Sequence, residues 1–165
     1  MGKVRDRYFD QPMRRLLFTC LLAGLLLPAS ALAASLAPGD GTLAIRNAAG
    51  EPGQLVVSLS INGAAIGQVN RGRLVVLPGV GPEPDVTGAS RQIDRADGST
   101  VYMGSGIRFR AVAGNFRVRI WGVGIDINAV GQGNVRLSGT GLGKFSLNGG
   151  AWTPLPEAGT FSIGA

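Results

Sequence analysis

From residue 35 onward, apolar residues recur at every second position in short runs bounded by Gly, Asn or Asp, and no stretch carries them at helical spacing. Period two marks a strand with one buried face, so the chain reads as all-β. Thr42 to Asn47 is the first run. Gln54 to Ile61 places Leu55, Val57, Leu59 and Ile61 on one face, and Asn62-Gly63 then offers the residue pair a tight hairpin turn prefers. Ala64 to Val69 reads as the returning strand, with Arg73 to Leu77 as a further strand after Asn70-Arg71-Gly72. Pro78 to Ser90 contains Pro78, Pro82 and Pro84 among glycines and reads as a loop or surface crossover, because Pro removes ladder donors. Arg91 to Gly98 ends in Asp97-Gly98, a second turn signal.

The chain has 27 glycines in 165 residues. A glycine inside a strand costs roughly 0.5–1 kcal/mol relative to alanine, so most of them must sit at turns or at close backbone approaches. They also punctuate an internal repeat between residues 104 and about 140. Gly104 to Ala113 matches Gly122 to Gly131, and Gly114-Asn-Phe-Arg-Val-Arg119 matches Gly133-Asn-Val-Arg-Leu-Ser138. A shorter echo joins Gly143-Lys-Phe-Ser-Leu147 to Gly159-Thr-Phe-Ser-Ile163. The repeated unit is two strands with glycine corners, which suits successive hairpins or the coils of a solenoid. Two copies are too few for a solenoid alone, so the expected fold is an antiparallel β-sandwich or flattened barrel of hairpin repeats.

The N-terminus reads differently. Lys3, Arg5, Arg7, Arg14 and Arg15 precede the apolar run Leu16–Leu27, and Pro28-Ala-Ser-Ala-Leu-Ala-Ala34 ends it in small residues. That is the layout of a secretory signal peptide over residues 1–34, and the apolar core of 12 residues is short of the roughly 20 a spanning helix needs. Arg14-Arg15 resembles a twin-arginine signal, but Met13 and Leu16 flank the pair and favour the general secretory route. Cleavage leaves a single all-β domain, 35–165, destined for the periplasm, the envelope or the medium. Membrane contact is then expected only through the signal segment during export.

Export alters the chemistry available. The only Cys, Cys20, departs with the signal, and the chain has no His. Thiol and imidazole nucleophiles, disulfides and Cys/His metal sites are therefore closed to the mature domain. No metal or cofactor is expected. Eleven basic and eight acidic residues remain, a net charge of +3 that argues against nucleic acid as a partner. Gly104-Ser-Gly106, Gly122-Val-Gly124 and Gly139-Thr-Gly-Leu-Gly-Lys144 resemble fragments of nucleotide loops, but none leads into a helix. The carboxylates Glu51, Glu83, Asp85, Asp94, Asp97, Asp126 and Glu157 show no spacing that singles out a hydrolytic pair.

One surface pattern stands out. Ile107-Arg108-Phe109-Arg110-Ala111 and Phe116-Arg117-Val118-Arg119-Ile120-Trp121 alternate so that the apolar residues take one face and all four arginines the other. A hairpin between the two strands would gather Arg108, Arg110, Arg117 and Arg119 on one sheet face, where like charges need an acid or an external anion. A tight turn at Gly122-Val123 would bring Asp126 opposite Arg119 as the internal solution. The external solution is an anionic ligand such as envelope phosphates or acidic glycans. Trp121, Trp152 and Tyr102 could alternatively make a sugar platform, but core packing is the simpler reading, with Trp152 closing the bottom of the core.

The segment Gly139-Thr-Gly-Leu-Gly-Lys-Phe-Ser-Leu-Asn-Gly-Gly-Ala-Trp-Thr-Pro-Leu-Pro156 resembles the ending of small exported glycine-rich β proteins of bacteria that carry no assigned activity. The resemblance covers the C-terminal third and implies no catalytic or binding residue. The expectation is an exported, non-catalytic β-domain acting as a structural or interaction module at the envelope or outside the cell. Its alternatives are an anion-binding domain using the four arginines and, from another class, a carboxylate-based hydrolase.

Overall fold

The computed structural model describes residues 36–47, 54–139 and 143–164. The expected signal peptide, residues 1–34, lies outside these described residues. Within them the chain is all-β, with strands β1 (Gly41–Arg46), β2 (Leu55–Leu77), β3 (Asp85–Thr87), β4 (Arg91–Asp94), β5 (Thr100–Ala111), β6 (Asn115–Gly139), β7 (Lys144–Leu147), β8 (Thr153–Pro154) and β9 (Ala158–Ile163). Every pairing is antiparallel. The described strands form one sheet with the main order β3-β5-β2-β6-β1-β7-β8, while β4 joins β5 and β9 joins β6. This order does not return on itself, so the strands do not close into a barrel.

The hairpins expected at Asn62-Gly63 and Gly122-Val123 do not form. β2 and β6 run straight through these positions and pair with each other from Leu55↔Gly139 to Leu77↔Arg117. Leu55–Asn62 then pairs a second time, with Asn115–Gly122. The β2–β6 ribbon thus coils until its beginning meets its own flank. Two stretches of sheet result. In the first, which we call array I, neighbours run β9, the end of β6, the start of β2, the start of β6, the end of β2, the start of β5 and β4. In array II they run β8, β7, β1, the middle of β6, the middle of β2, the end of β5 and β3. The expected loop 78–90 is shorter than its composition suggests, because Asp85–Thr87 pairs with Arg108–Arg110 at the edge of array II.

Rows of glycine lie where the long strands pass from one array to the other. Gly104, Gly72 and Gly122 are direct partners across β5, β2 and β6, and Gly41, Gly131 and Gly63 across β1, β6 and β2. A Cβ at Gly72 would fall inside the Trp121 carbonyl oxygen, and one at Gly63 inside that of Val130. Close backbone packing excludes side chains there. The two rows differ in what they do to alternation. Across Gly63 the buried residues stay odd-numbered, Ile61 and then Ala65, whereas across Gly72 they change from Val69 to Leu74. β6 changes likewise from Ile120 to Ile125. On β6 and β5, Gly124 at φ 64° and Gly106 at φ 75° take the left-handed conformation at this change.

Both arrays feed one apolar cluster, which includes Leu43, Val57, Leu59, Leu74, Ile107, Phe109, Phe116, Ile120, Ile127, Val135 and Leu137. The residues read as inward from alternation on β5 and β6, Ile107, Phe109, Phe116, Val118 and Ile120, are all buried. The two phenylalanines of the shorter echo, Phe145 and Phe161, meet in a tilted contact, 4.8 Å between centroids and 47° between ring planes. The longer repeat is not a pair of hairpins. β5 and the middle of β6 flank the middle of β2, while the start and the end of β6 flank the start of β2. The two copies therefore bracket the same strand from opposite sides.

Candidate anion-binding face

The four sequence-identified arginines do not share one face. β5 and β6 are not partners; β2 runs between them. Arg108 and Arg110 lie on array II, opposite Gln68 and Ile66 of β2, whereas Arg117 and Arg119 lie on array I, opposite Leu77 and Val75. Asp126 does not face Arg119, because no turn forms at Gly122. It faces Arg46 and Gln68 in array II.

Array I gathers three arginines that the sequence reading had not placed. On the face turned from the main apolar cluster, its pairings set Thr160, Arg136, Ser58, Arg119 and Val75 side by side, with Val101 and Ile93 beyond, Val75 and Val101 being buried there. One step of two residues along lies the row Ser162, Asn134, Ser60, Arg117 and Leu77. One step the other way lies the row Ala158, Ser138, Val56, Trp121, Arg73, Met103 and Arg91. These three rows carry five arginines and no carboxylate. Each arginine has an uncharged residue beside it in the ladder, which avoids the direct like-charge contact expected from a hairpin.

The rows have relief. Ser58 and Ser60 are short side chains on a strand between Arg136 and Asn134 on one side and Arg119 and Arg117 on the other. With strands about 4.8 Å apart, the flanking backbones stand roughly 9.6 Å apart across a floor of hydroxyls. A depression of about 250 Å³ is lined there by Ser58, Ser60, Leu77, Arg117, Arg119, Asn134, Arg136 and Thr160. Arg117 donates from Nη2 to the Pro78 carbonyl at 2.6 Å, which steadies its side chain. At the next row the Arg73 guanidinium lies 4.3 Å from the centroid of the Trp121 ring. A second depression of about 390 Å³ opens around Arg71, Arg73, Met103 and Trp121.

Array II also carries cations, two of them beside acids, while Arg108 faces Gln68 and Thr87 and Lys144 faces Arg46. Arg46 and Asp126 form the ion pair found among the described residues, each more than a third exposed. Arg46 further donates to Asn128 Oδ1 at 3.1 Å. Arg110 faces Asp85 in the ladder. Trp152 does not close the core: it is 45% exposed, with Lys144 at 5.2 Å and Arg46 at 5.8 Å from its ring. Trp121, Trp152 and Tyr102 thus occupy three separate places and do not assemble a sugar platform.

The acids gather elsewhere. Glu83, Asp85 and Asp94 act on Tyr102, whose pKa is raised above 10.0 first by burial and then by these carboxylates. Asp97 accepts from the Ser99 hydroxyl at 2.7 Å and its backbone N–H at 2.9 Å, which holds its carboxyl below the usual 3.8. The glycine pairs at 104–106 and 122–124 lie inside strands, where no helix N-terminus is available to a phosphate. Among the described residues no group of three His, Cys, Asp or Glu is placed to hold a metal ion. Comparison with known proteins returned no matching family model, no matching curated protein and no matching solved structure.

Proposed function

We propose that this chain is an exported, non-catalytic β-domain that serves as an interaction module at the cell envelope or outside the cell, and that it binds anionic ligands through array I. One observation carries the binding reading. Five arginines stand on three adjacent rows with no carboxylate among them, while on array II Arg46 has Asp126 and Arg110 has Asp85 beside it. Arginine in this setting offers planar, charge-assisted donors suited to phosphate, sulfate or carboxylate. In this reading the two arrays are the layers of a sandwich sharing one apolar cluster, and array I presents its arginines on the outside. The export reading rests on residues 1–34, with their basic start, apolar run and small-residue end.

Chromatography on immobilised heparin tests the binding reading. The triple variant Arg117→Ala, Arg119→Ala, Arg136→Ala is expected to elute at much lower salt than the parent, and Arg108→Ala with Arg110→Ala at only slightly lower salt. Equal shifts for the two variants would refute the assignment to array I.

A further inference from the structure

We propose that the serine-floored trough of array I takes a linear phosphodiester polymer of the polyol-phosphate kind, laid along the first part of β2. This rests on the anion-binding reading above and names its ligand class. Three features of the trough lead to it.

The first is relief. Ser58 lies between Arg119 and Arg136, and Ser60 between Arg117 and Asn134, so the floor sits below longer side chains on both sides. A flat lipid surface would meet the tips of the walls, whereas a thin chain reaches the floor. Serine hydroxyls and the Asn134 amide there can donate to phosphate oxygens between the guanidinium groups.

The second is period. Successive outward rows on a strand are two residues apart, about 6.8 Å, and two residues contain six backbone bonds. A chain of three-carbon polyol units joined by phosphodiesters also has six bonds per repeat, so its charges keep step with the rows. One phosphate falls between Arg136 and Arg119 beside Ser58, and the next by Arg117 and Ser60; the row beyond holds Val56 between Ser138 and Trp121 and offers no cation to the chain.

The third is the state of the aromatic residue. A nucleic-acid strand has the same six-bond repeat but gains much of its affinity by stacking bases on open aromatic faces. Here one face of Trp121 is already covered by Arg73 at 4.3 Å, and the other rows of the trough hold no aromatic side chain. A polymer without bases fits this surface better.

The test is binding of a glycerol-phosphate oligomer to the mature domain, measured by calorimetry across a salt series. Engagement of two phosphates, one by Arg119 with Arg136 and one by Arg117, predicts a slope of log K against log salt near −1.4, at about −0.7 per phosphate neutralised. Ser58→Leu fills the floor without altering charge and is expected to weaken binding at least tenfold. Ser60→Leu, at a more exposed position, is expected to do the same, and thermal melting confirms that both variants are folded. If folded serine variants bind as the parent does while the triple arginine variant loses binding, the trough assignment is wrong and array I remains a general anion face. If the triple variant also binds normally, both readings fall. Tighter binding of single-stranded DNA, or of anionic lipid vesicles, than of the oligomer overturns the ligand class.

Discussion

Array I and array II share three of their strands, yet they differ in charge: two of array II's cations have acids beside them, and none of array I's has. On array II, Asp126 pairs with Arg46, and Asp85 sits opposite Arg110. On array I, Ser58, Ser60, Val75 and Leu77 separate the arginines, and the three rows hold no acid. Arrangement, not composition, makes the difference: β2 intervenes between strands whose arginines would otherwise meet. A face that spaces its cations without neutralising them keeps a positive potential open to solvent, whereas a face with internal ion pairs has partly spent it.

The contrast can be broken most severely at the corner that sorts the strands between arrays. Gly72→Val would drive a side chain into the Trp121 carbonyl and misplace both arrays at once. Overpacking of this kind costs roughly 1–3 kcal/mol or more, and urea denaturation should show the loss directly. A normal transition midpoint would mean that the corner tolerates bulk. The contrast can next be erased on array I alone. Ser58→Asp inserts a carboxylate between Arg136 and Arg119. It should reduce polyanion affinity about tenfold while changing stability by no more than about 1 kcal/mol, the scale of exposed ion pairs.

The converse change sharpens the comparison on array II. Asp126→Asn frees Arg46 and should raise heparin retention modestly, again with a stability change of at most about 1 kcal/mol. Unchanged retention would show that Asp126 does not mask array II. The smallest effect concerns the acids placed away from array I. Burial first, and then Glu83, Asp94 and Asp85, raise the Tyr102 pKa, so folding favours the neutral phenol. That contribution is complete below pH 10.0 and is lost as pH rises through the folded-state value. Absorbance titration should place Tyr102 above 10.0, and Glu83→Gln with Asp94→Asn should bring it only part of the way back, because burial is the larger cause.

Much of the inward-facing set was legible in the sequence. Leu55, Val57, Leu59 and Ile61 alternate as a strand must, and all four are buried. The corners were not legible, because Asn62-Gly63 and Gly122-Val123 satisfy the same local preferences whether the chain reverses or bends and continues. What decides between them is a neighbouring backbone too close to admit a side chain, at Gly63 from Val130 and at Gly122 from Arg71. That information is non-local. The arginine face shared this fate, since Ser58 and Arg136 are partners far apart in the chain. A signal was nevertheless present. The repeat aligns Arg117 with Arg136, and the structure places these equivalent residues on opposite sides of the start of β2. Reading the repeat as two copies around a shared strand, and not as two hairpins, would have joined them.

The central claim is that anions bind to array I and not to array II. Its most direct measurement is the salt dependence of polyanion binding for two variants side by side, Arg117→Ala/Arg119→Ala/Arg136→Ala and Arg108→Ala/Arg110→Ala. The account predicts that the first loses most of the slope of log K against log salt, about 0.7 per phosphate no longer neutralised, and that the second keeps nearly all of it. A slope lost equally in both, or lost only in the second, would contradict the account.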